Sequence, residues 1–310
     1  MSGSAQRTLA IVGASGFLGR HLTMQACAEG LLVNGLVRSK EGARAAILAG
    51  AHPVIVAGLT VEALAPALAG AAAVVHLAQI GAETADQTYQ TINVNGTRAV
   101  IAAAQAAGVP RIVLLSGLGV AHYGMTPHCT NPYFLSKLQA EVELFRSDRG
   151  GVVFRPSYIV GPGGGLIPRL VREMEAGAVE RVGDGSYRLQ PIGVRDAAAA
   201  ILAAVEAPRT PAVFDLVGPE PMRYAEFIER VAKVARADAR GGRFVIREVP
   251  VAEAIRQARA GGYRGNGPDE LDCLLCDEVA DPRPLEALLG RFLAPIDEAI
   301  AAALRAGAKP

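Results

Sequence analysis

The chain has 310 residues, of which 51% are hydrophobic, and this composition excludes a disordered chain and a small disulfide-stapled domain. Its 31 Lys and Arg residues nearly balance its 30 Asp and Glu residues, and the net charge of +1 gives no indication of a nucleic-acid partner. The longest apolar runs, such as 71–78, are much shorter than the ~20 residues that a membrane-spanning helix needs.

The N-terminus and the cysteines bear on the location of the protein. The opening segment MSGSAQRT lacks the basic and then apolar order of a signal peptide. The four cysteines do not have the spacing of a disulfide framework. Cysteines without such a framework are typical of proteins in a reducing compartment. We therefore expect a cytoplasmic protein without a transmembrane segment.

The first half of the chain alternates short apolar runs with helical patterns. Strands are predicted at 8–12, 32–37, 54–57, 72–77, 111–115 and 151–155. Helices are predicted between them at 17–30, 61–68, 93–107 and 131–149. Each strand is almost wholly apolar, which favours an α/β fold with a parallel sheet covered on both faces.

The alternation becomes less regular beyond Pro156. Helices are predicted at 166–176, 196–205, 223–236 and 284–306, and strands at 189–194 and 212–217. We expect Asp196 to cap its helix and the 212–217 strand to return to the main sheet.

A glycine-rich turn follows the first predicted strand and opens the first predicted helix. Its glycines allow a sharp turn and a close approach of the backbone to a ligand, and a helix N-terminus offers free N–H groups to an anion. Strand, glycine turn and helix in this order predict a dinucleotide-binding loop. We expect this loop to bind the cofactor, with its pyrophosphate at the helix N-terminus, through Gly13, Ser15, Gly16, Phe17, Leu18 and Gly19.

Five further segments of the sequence support the prediction of a dinucleotide-binding protein. They are VVHLA at 74–78, the 93–116 segment, YFLSK at 133–137, RPSYIVGP at 155–162 and VRDAAAAI at 194–201. Together with the GxxGxxG spacing of the turn, they resemble the extended and atypical branches of the short-chain dehydrogenase/reductase superfamily, whose members are NAD(P)-dependent epimerase/dehydratase-like proteins. The resemblance covers roughly residues 8–235.

The resemblance implies a Rossmann-type fold, which is a doubly wound parallel sheet, with a smaller C-terminal substrate lobe. It implies a dinucleotide-binding domain at 1–162, rejoined by 189–218. The substrate lobe would then consist of 163–188 and 219–310. The resemblance also implies cofactor contacts for Leu77, Ala78 and Pro156.

The end of the second predicted strand bears on the choice of cofactor. An acid at this position binds the adenosine ribose of NAD, whereas an arginine accommodates the 2′-phosphate of NADP. This chain has Arg38 and Ser39 there, which predicts NADP, with NAD as the alternative. By resemblance, the family commonly has an adenine-binding Asp at the position of Gly58.

Tyr133 and Lys137 are the predicted catalytic pair. They are four positions apart on a predicted helix and therefore share one face. A tyrosine is a poor acid or base at neutral pH, but a neighbouring ammonium group favours its phenolate. The resemblance implies proton transfer by Tyr133, and a second role for Lys137 in holding the nicotinamide ribose.

The third catalytic position departs from the family pattern. By resemblance, a Ser or Thr that binds the reacting oxygen is expected where this chain has Gly117. We assign Ser116 as its substitute, with Thr126 and Thr130 as alternatives. A missing donor of this kind typically costs ~10²–10³ in rate.

Four other residues that are able to take part in catalysis or metal binding also have possible structural roles. His76 lies in a predicted strand and is expected to be a core residue. Asn93 either caps a helix or steadies the backbone near the lysine. Cys273 and Cys276 lack a second pair and are expected to be buried thiols, so no metal site is predicted.

Two functions remain open. The Tyr–Lys pair favours an NAD(P)-dependent oxidoreductase or epimerase acting on a carbonyl, alcohol or nucleotide-sugar substrate. Gly58 and Gly117 favour a non-catalytic NADP(H)-binding redox sensor, or an accessory or assembly protein. The segments at 155–170, 190–201 and 214–221 have some similarity to the nucleotide-binding accessory subunit of respiratory complex I. The expected partners are accordingly a small-molecule substrate and either a second copy or a respiratory complex.

Overall fold

The structure, a computed structural model, describes residues 7–147, 151–207, 210–237, 243–263 and 267–307. The chain forms two compact units. The first unit consists of Met1–Val120, Pro132–Arg155 and Ala197–Phe214. The second unit consists of Ala121–Asn131, Pro156–Asp196 and Asp215–Pro310.

The strands and helices follow in chain order. The strands are β1 (Thr8–Val12), β2 (Leu32–Val37), β3 (His52–Ile55), β4 (Ala71–His76), β5 (Ile112–Leu115), β6 (Val152–Pro156), β7 (Ile159–Val160), β8 (Ala178–Val182), β9 (Arg188–Leu189), β10 (Ile192–Gly193), β11 (Ala212–Leu216), β12 (Met222–Arg223) and β13 (Val245–Val249). The helices are α1 (Phe17–Ala28), α2 (Lys40–Leu48), α3 (Val61–Leu68), α4 (Asn95–Ala106), α5 (Pro132–Phe145), α6 (Leu166–Glu175), α7 (Val194–Glu206), α8 (Tyr224–Ala237), α9 (Val251–Gly261), α10 (Pro268–Leu275), α11 (Arg283–Leu289) and α12 (Ile296–Ala306).

Seven strands form the main sheet, in the order β11-β6-β5-β4-β1-β2-β3. The pairings from β1 to β6 are parallel, and Val12 of β1 lies opposite both Leu36 of β2 and His76 of β4. The chain runs outward from β1 to β3 and then crosses to β4, so the strand order reverses between β1 and β4. Ligands of doubly wound sheets bind outside the carboxyl ends of the strands at such a reversal. The predicted α/β class and doubly wound parallel sheet are confirmed.

Apolar packing explains why the strands of the first unit are almost continuous hydrophobic runs. Helices α3, α4 and α5 cover one face, where Leu64, Val100 and Leu144 pack against strand residues such as Ala10 and Leu114. Burial of each large side chain in such a core stabilises the fold by ~1.5–3 kcal/mol. These contacts bury one face of the sheet beneath the helices.

The second unit has its own core around α6, α8 and α12. Phe227 and Ile228 of α8 pack with Leu170 of α6 and Ile300 of α12. Its strands form three short pairs, which are β8 with β13, β7 with β10, and β9 with β12. Within the described ranges, no helix is both long enough and apolar enough to cross a membrane.

Three sequence predictions need correction. The strand predicted at 189–194 is split into β9 and β10, because Gln190 instead bonds the backbone of Gly218 and the proline that follows it lacks an N–H donor. The helix predicted at 284–306 is broken at Gly290, whose φ of +65° ends α11 after Leu289. Asp196 lies inside α7, where its carboxylate accepts hydrogen bonds from the Arg291 side chain and from the Ala294 N–H, so it does not cap the helix.

Some boundaries and elements differ in other ways. Helix α5 ends at Phe145, and the predicted end at 149 lies outside the described residues. Helix α2 is not predicted from the sequence, because its mixed composition of Ala, Gly and charged residues gives a weak periodic signal. Its start is marked by Ser39, whose hydroxyl accepts a hydrogen bond from the Gly42 N–H at 3.1 Å.

Candidate dinucleotide-binding and active site

A groove opens at the carboxyl ends of β1 to β4, where the strand order reverses. Its volume is about 430 Å³, within the range of roughly 300–1,000 Å³ that is typical of small-molecule sites. Its walls are the turn after β1, the ends of β2 and β3, the segment after β4 and the loop before α4. Of the residues predicted to bind the cofactor, those that line the groove are Gly13, Ser15, Gly16, Arg38, Leu77 and Ala78.

The glycine turn has the geometry of an anion cradle. Gly13 has a φ of +96°, and a Cβ atom there would lie 3.0 Å from the backbone nitrogen of Ala78. A Cβ atom on Gly19 would collide with the carbonyl oxygen of Gly13. Helix α1 starts at Phe17, with Gly16 as an N-cap that offers no side-chain hydrogen bond and with no acid in the first turn. The first turn therefore presents N–H groups and a partial positive charge, which fits a dinucleotide pyrophosphate.

The remaining predicted cofactor residues do not line this groove. Phe17, Leu18 and Gly19 form the first turn of α1. Pro156 is the last residue of β6, and its predicted contact with the cofactor stays a prediction.

Lys137 lies on α5 with its ammonium inside the protein. It is 2% exposed, and Nζ donates hydrogen bonds to Oε1 of Gln79 and, at 2.6 Å, to the carbonyl oxygen of Leu115. Burial lowers the pKa of Lys137 to about 7, although the nearby Glu141 carboxylate opposes this shift. Because Gln79 also lines the groove, it connects the groove to a lysine that changes charge near neutral pH.

Tyr133 lies one helical turn before Lys137 and is half-buried. Its ring centre is 5.9 Å from that of Tyr89 and 5.4 Å from that of Phe134. The backbone of Gly117 lies beside this ring, since a Cβ atom on Gly117 would be 3.8 Å from Cε1 of Tyr133. The structure thus brings the predicted Tyr–Lys pair to the ends of β4 and β5.

Asn93 fixes the segment that follows β4. Its Oδ1 accepts a hydrogen bond from the Ile80 N–H at 2.9 Å, and its Nδ2 donates to the Ile80 carbonyl at 3.1 Å and to Ser136 Oγ at 3.0 Å. Of the two interpretations of Asn93, these contacts favour steadying of the backbone over helix capping. Ser136 immediately precedes Lys137, so Asn93 ties the segment that carries Gln79 to α5.

The match to a known family covers most of the chain. A profile of the NAD dependent epimerase/dehydratase family matches residues 9–237. The chain belongs to the NAD dependent epimerase/dehydratase family. This membership confirms the resemblance drawn from the sequence motifs.

The chain is similar to two curated reductases and to a solved structure that contains a nucleotide sugar and NAD. The chain is 29% identical over 234 residues to 4-hydroxy-2-methyl-3-oxo-4-farnesyl-3,4-dihydroquinoline-1-oxide ketoreductase from Stigmatella aurantiaca, with 70% of each chain covered. It is 30% identical over 217 residues to ceramide reductase from Caulobacter vibrioides, covering 67% of this chain and 64% of the relative. Among solved structures, MoeE5 in complex with UDP-glucose and NAD has a TM-score of 0.73 at 22% identity, covering 97% of this chain and 98% of that chain. The last comparison shows the shared fold.

The two residues predicted to select NADP have different surroundings in the structure. Arg38 is exposed at the groove, and among the described residues its guanidinium has no hydrogen-bond or ion-pair partner. Ser39 caps α2 with its hydroxyl oxygen and does not line the groove. Arg38 is therefore an exposed positive group of the groove, and the preference for NADP stays a prediction.

Asp86 is an acidic residue of the groove lining that the sequence does not predict. Gly58, where the family commonly has an acid, lines the same groove, and a Cβ atom there would have no atom within 4 Å. Asp86 lies in a turn closed by hydrogen bonds between Thr84 and Gln87, and its carboxylate has no partner among the described residues. The sequence carries no signal for this position, because the fold of the connecting loop decides which of its side chains faces the groove.

Ser116 lies at the end of β5 with its side chain in the interior. It is 1% exposed, and Oγ is buried with no hydrogen-bond partner in the described part of the chain. Its N–H donates to the Phe154 carbonyl at 2.7 Å, which holds the backbone of the strand end. The catalytic assignment of Ser116 stays a prediction that requires its hydroxyl to turn toward the substrate.

His76 is buried at the end of β4, as expected for a core residue. Burial and the neighbouring Lys137 ammonium lower the pKa of His76 to about 3, so the imidazole is neutral. Over the described ranges, no group of three His, Cys, Asp or Glu side chains is placed to hold a metal ion.

Proposed function

We propose that the protein is an NADP(H)-dependent oxidoreductase that interconverts a ketone and a secondary alcohol, with Tyr133 transferring the proton and Lys137 supporting it. The observation that carries this proposal is the position of Lys137. Its buried ammonium binds Gln79 of the groove and the end of β5, one helical turn from Tyr133. A cation at this distance along a helix is suited to stabilise a phenolate.

The groove and its surroundings fit a nicotinamide dinucleotide, which supplies the hydride that no side chain can supply. Gly13, Ser15 and Gly16 would hold the pyrophosphate, and Arg38 would hold the 2′-phosphate. Asp86 would accept a hydrogen bond from the adenine amine, because a carboxylate is an acceptor only. Lys137 would donate to the ribose hydroxyls next to the nicotinamide.

The proton step follows from the Tyr–Lys pair. As the carbonyl carbon receives the hydride, Tyr133 donates its hydroxyl proton to the carbonyl oxygen, and the ketone becomes an alcohol. The negative charge left on Tyr133 is stabilised by the Lys137 ammonium, which remains protonated. In the alcohol direction the phenolate accepts the proton and the carbon loses the hydride.

The names of the curated relatives support the choice of a ketone as the substrate. The two relatives described above are both reductases, one of them a ketoreductase. A nucleotide-sugar epimerase is the alternative within the same chemistry, since epimerisation also removes and returns a hydride. The epimerase reading is supported by a fold shared with MoeE5, whose structure contains UDP-glucose and NAD.

A substrate panel with active-site variants tests the proposal. The purified chain is incubated with NADPH and with 3-oxoacyl esters, aromatic ketones and nucleotide sugars, and NADPH consumption and product formation are followed. We expect turnover of a ketone, its loss in Tyr133→Phe with nucleotide binding nearly intact, and damage to both in Lys137→Met. Turnover that is unchanged in Tyr133→Phe would rule out the proposed mechanism.

A second candidate is a non-catalytic NADP(H)-binding protein, such as a redox sensor or an accessory protein of the complex I type. It is favoured by Gly117, which has no hydroxyl, and by the buried Oγ of Ser116. Retention of NADP(H) without turnover of any member of the panel would favour this candidate over the enzyme.

A further inference from the structure

Three of the four cysteines lie on two neighbouring segments of the second unit. Cys129 belongs to the short helix Pro127–Thr130, and Cys276 directly follows α10. The Sγ atoms of Cys129 and Cys276 are 2.9 Å apart, although 147 positions separate the two residues in the chain. Both are buried, with exposures of 1% and 4%, and both are free thiols.

Contacts on both sides of the thiols hold the two segments together. His128 Nδ1 is 3.1 Å from Oδ1 of Asp272 on α10. Asn131 Nδ2 is 3.7 Å from Sγ of Cys273 and also donates to the His128 carbonyl at 3.1 Å. These contacts are independent of the sulfur pair, so the native packing itself keeps the two sulfurs facing each other.

We propose that Cys129 and Cys276 form an oxidative modification site, at which a peroxide converts the two thiols into an intramolecular disulfide. Two S–H bonds break and one S–S bond forms, and hydrogen peroxide takes up the two electrons and two protons to become two water molecules. A disulfide bond is about 2.05 Å long, so the sulfurs need to approach by less than 1 Å. The inference does not depend on the proposed function.

The surroundings of the thiols favour this chemistry over metal binding. No cluster of three metal-ligating side chains occurs in the described part of the chain. Zinc would also need thiolates, whereas burial raises the pKa of both the Cys273 and the Cys276 thiols. The same burial slows attack on peroxide, because the thiolate is the nucleophile. Disulfide formation should therefore be slow and require sustained oxidant.

The test locates the bond in the whole chain. Reduced protein is incubated with hydrogen peroxide, remaining thiols are blocked with iodoacetamide, and a non-reduced digest is analysed by mass spectrometry. We expect a peptide pair joined through Cys129 and Cys276, with Cys27 and Cys273 alkylated. We also expect the melting temperature to rise on oxidation, because the bond constrains the unfolded chain.

Matched single variants separate this site from general thiol oxidation. Cys129→Ser and Cys276→Ser should each abolish the linked pair and the rise in melting temperature, whereas Cys27→Ser should retain both. Peptide mapping of the parent chain decides the question even where a variant folds poorly. A link through Cys27 or Cys273, a link between chains, or no link after prolonged oxidation would each overturn the proposal.

Discussion

Lys137 donates a hydrogen bond from its buried Nζ to the side-chain oxygen of Gln79, a residue that lines the dinucleotide groove. This bond couples the charge of the proposed catalytic lysine to the groove in which the cofactor is expected. A neutral amide is the partner, so the ammonium is held without a counter-charge at this contact. The protonation state of Lys137 should consequently be visible in cofactor binding.

Cofactor affinity should depend on the titration of Lys137. Burial lowers the pKa of Lys137 to about 7, so the cofactor-free protein loses this charge as the pH rises through neutrality. If the protonated lysine holds the ribose hydroxyls, the affinity at pH 8 is about tenfold below its low-pH value. Calorimetric titrations from pH 6 to pH 8 measure this decrease, and Lys137→Met, which cannot titrate, should not show it.

Substitutions of Gln79 should shift the pH at which cofactor affinity decreases, because they change the pKa of Lys137. Gln79→Glu places a carboxylate against the Lys137 ammonium and raises the pKa of the lysine, so the loss of affinity should move to higher pH. Gln79→Leu removes the acceptor without adding charge, and the loss should begin at lower pH. Identical pH profiles for the parent and Gln79→Glu would contradict the assigned contact.

Arg38 should determine the preference for NADP(H) over NAD(H). Its guanidinium is exposed at the groove, and one charge-assisted hydrogen bond to a phosphate contributes ~1.5–3 kcal/mol. Arg38→Ala should therefore weaken NADP binding by about tenfold to a hundredfold and leave NAD binding nearly unchanged. Arg44→Ala, which removes an exposed charge from α2 outside the groove lining, is the control. A similar loss in both variants would indicate general electrostatics rather than phosphate recognition.

Asp86 should recognise the adenine amine. Asp86 and Gly58 both line the groove, and a Cβ atom on Gly58 would have no atom within 4 Å. The parent should bind NADP more tightly than its hypoxanthine analogue, whose carbonyl oxygen replaces the amine and repels the carboxylate. Asp86→Ala should bind the two alike, while Glu62→Gln, which alters an exposed acid of α3, should keep the preference. Gly58→Asp introduced into Asp86→Ala should restore it.

The parts of the site that the sequence predicts are those set by local structure. The glycine turn is recognisable because Gly13 and Gly16 lie between a strand and a helix and Gly19 lies in the first turn of that helix. Arg38 is recognisable because it directly follows a strand of the sheet. Asp86 escapes prediction, because bonds such as that of Asn93 with Ile80, which are distant in the sequence, help decide where its loop lies. Likewise, nothing local to α10 signals that Cys276 faces a thiol 147 positions earlier in the chain.

Gly117 should be the position at which a single substitution increases turnover. A Cβ atom there would lie 3.4 Å from Phe134 and 3.8 Å from Tyr133, which is ordinary contact, so a side chain fits beside the proposed proton donor. Gly117→Ser places a hydroxyl there and should raise the rate of ketone reduction by up to about a hundredfold to a thousandfold, because the loss of one oxygen-binding donor typically costs that much. Gly117→Ala adds the same Cβ atom without the hydroxyl and should leave the rate unchanged. An equal increase in both variants would mean that the effect comes from packing. No increase in either would mean that position 117 does not face the reacting oxygen.

Gly119, two residues further along the chain, does not have room for a side chain. Its Cβ atom would collide with the ring of Phe134, so Gly119→Ser should lower the melting temperature of the protein.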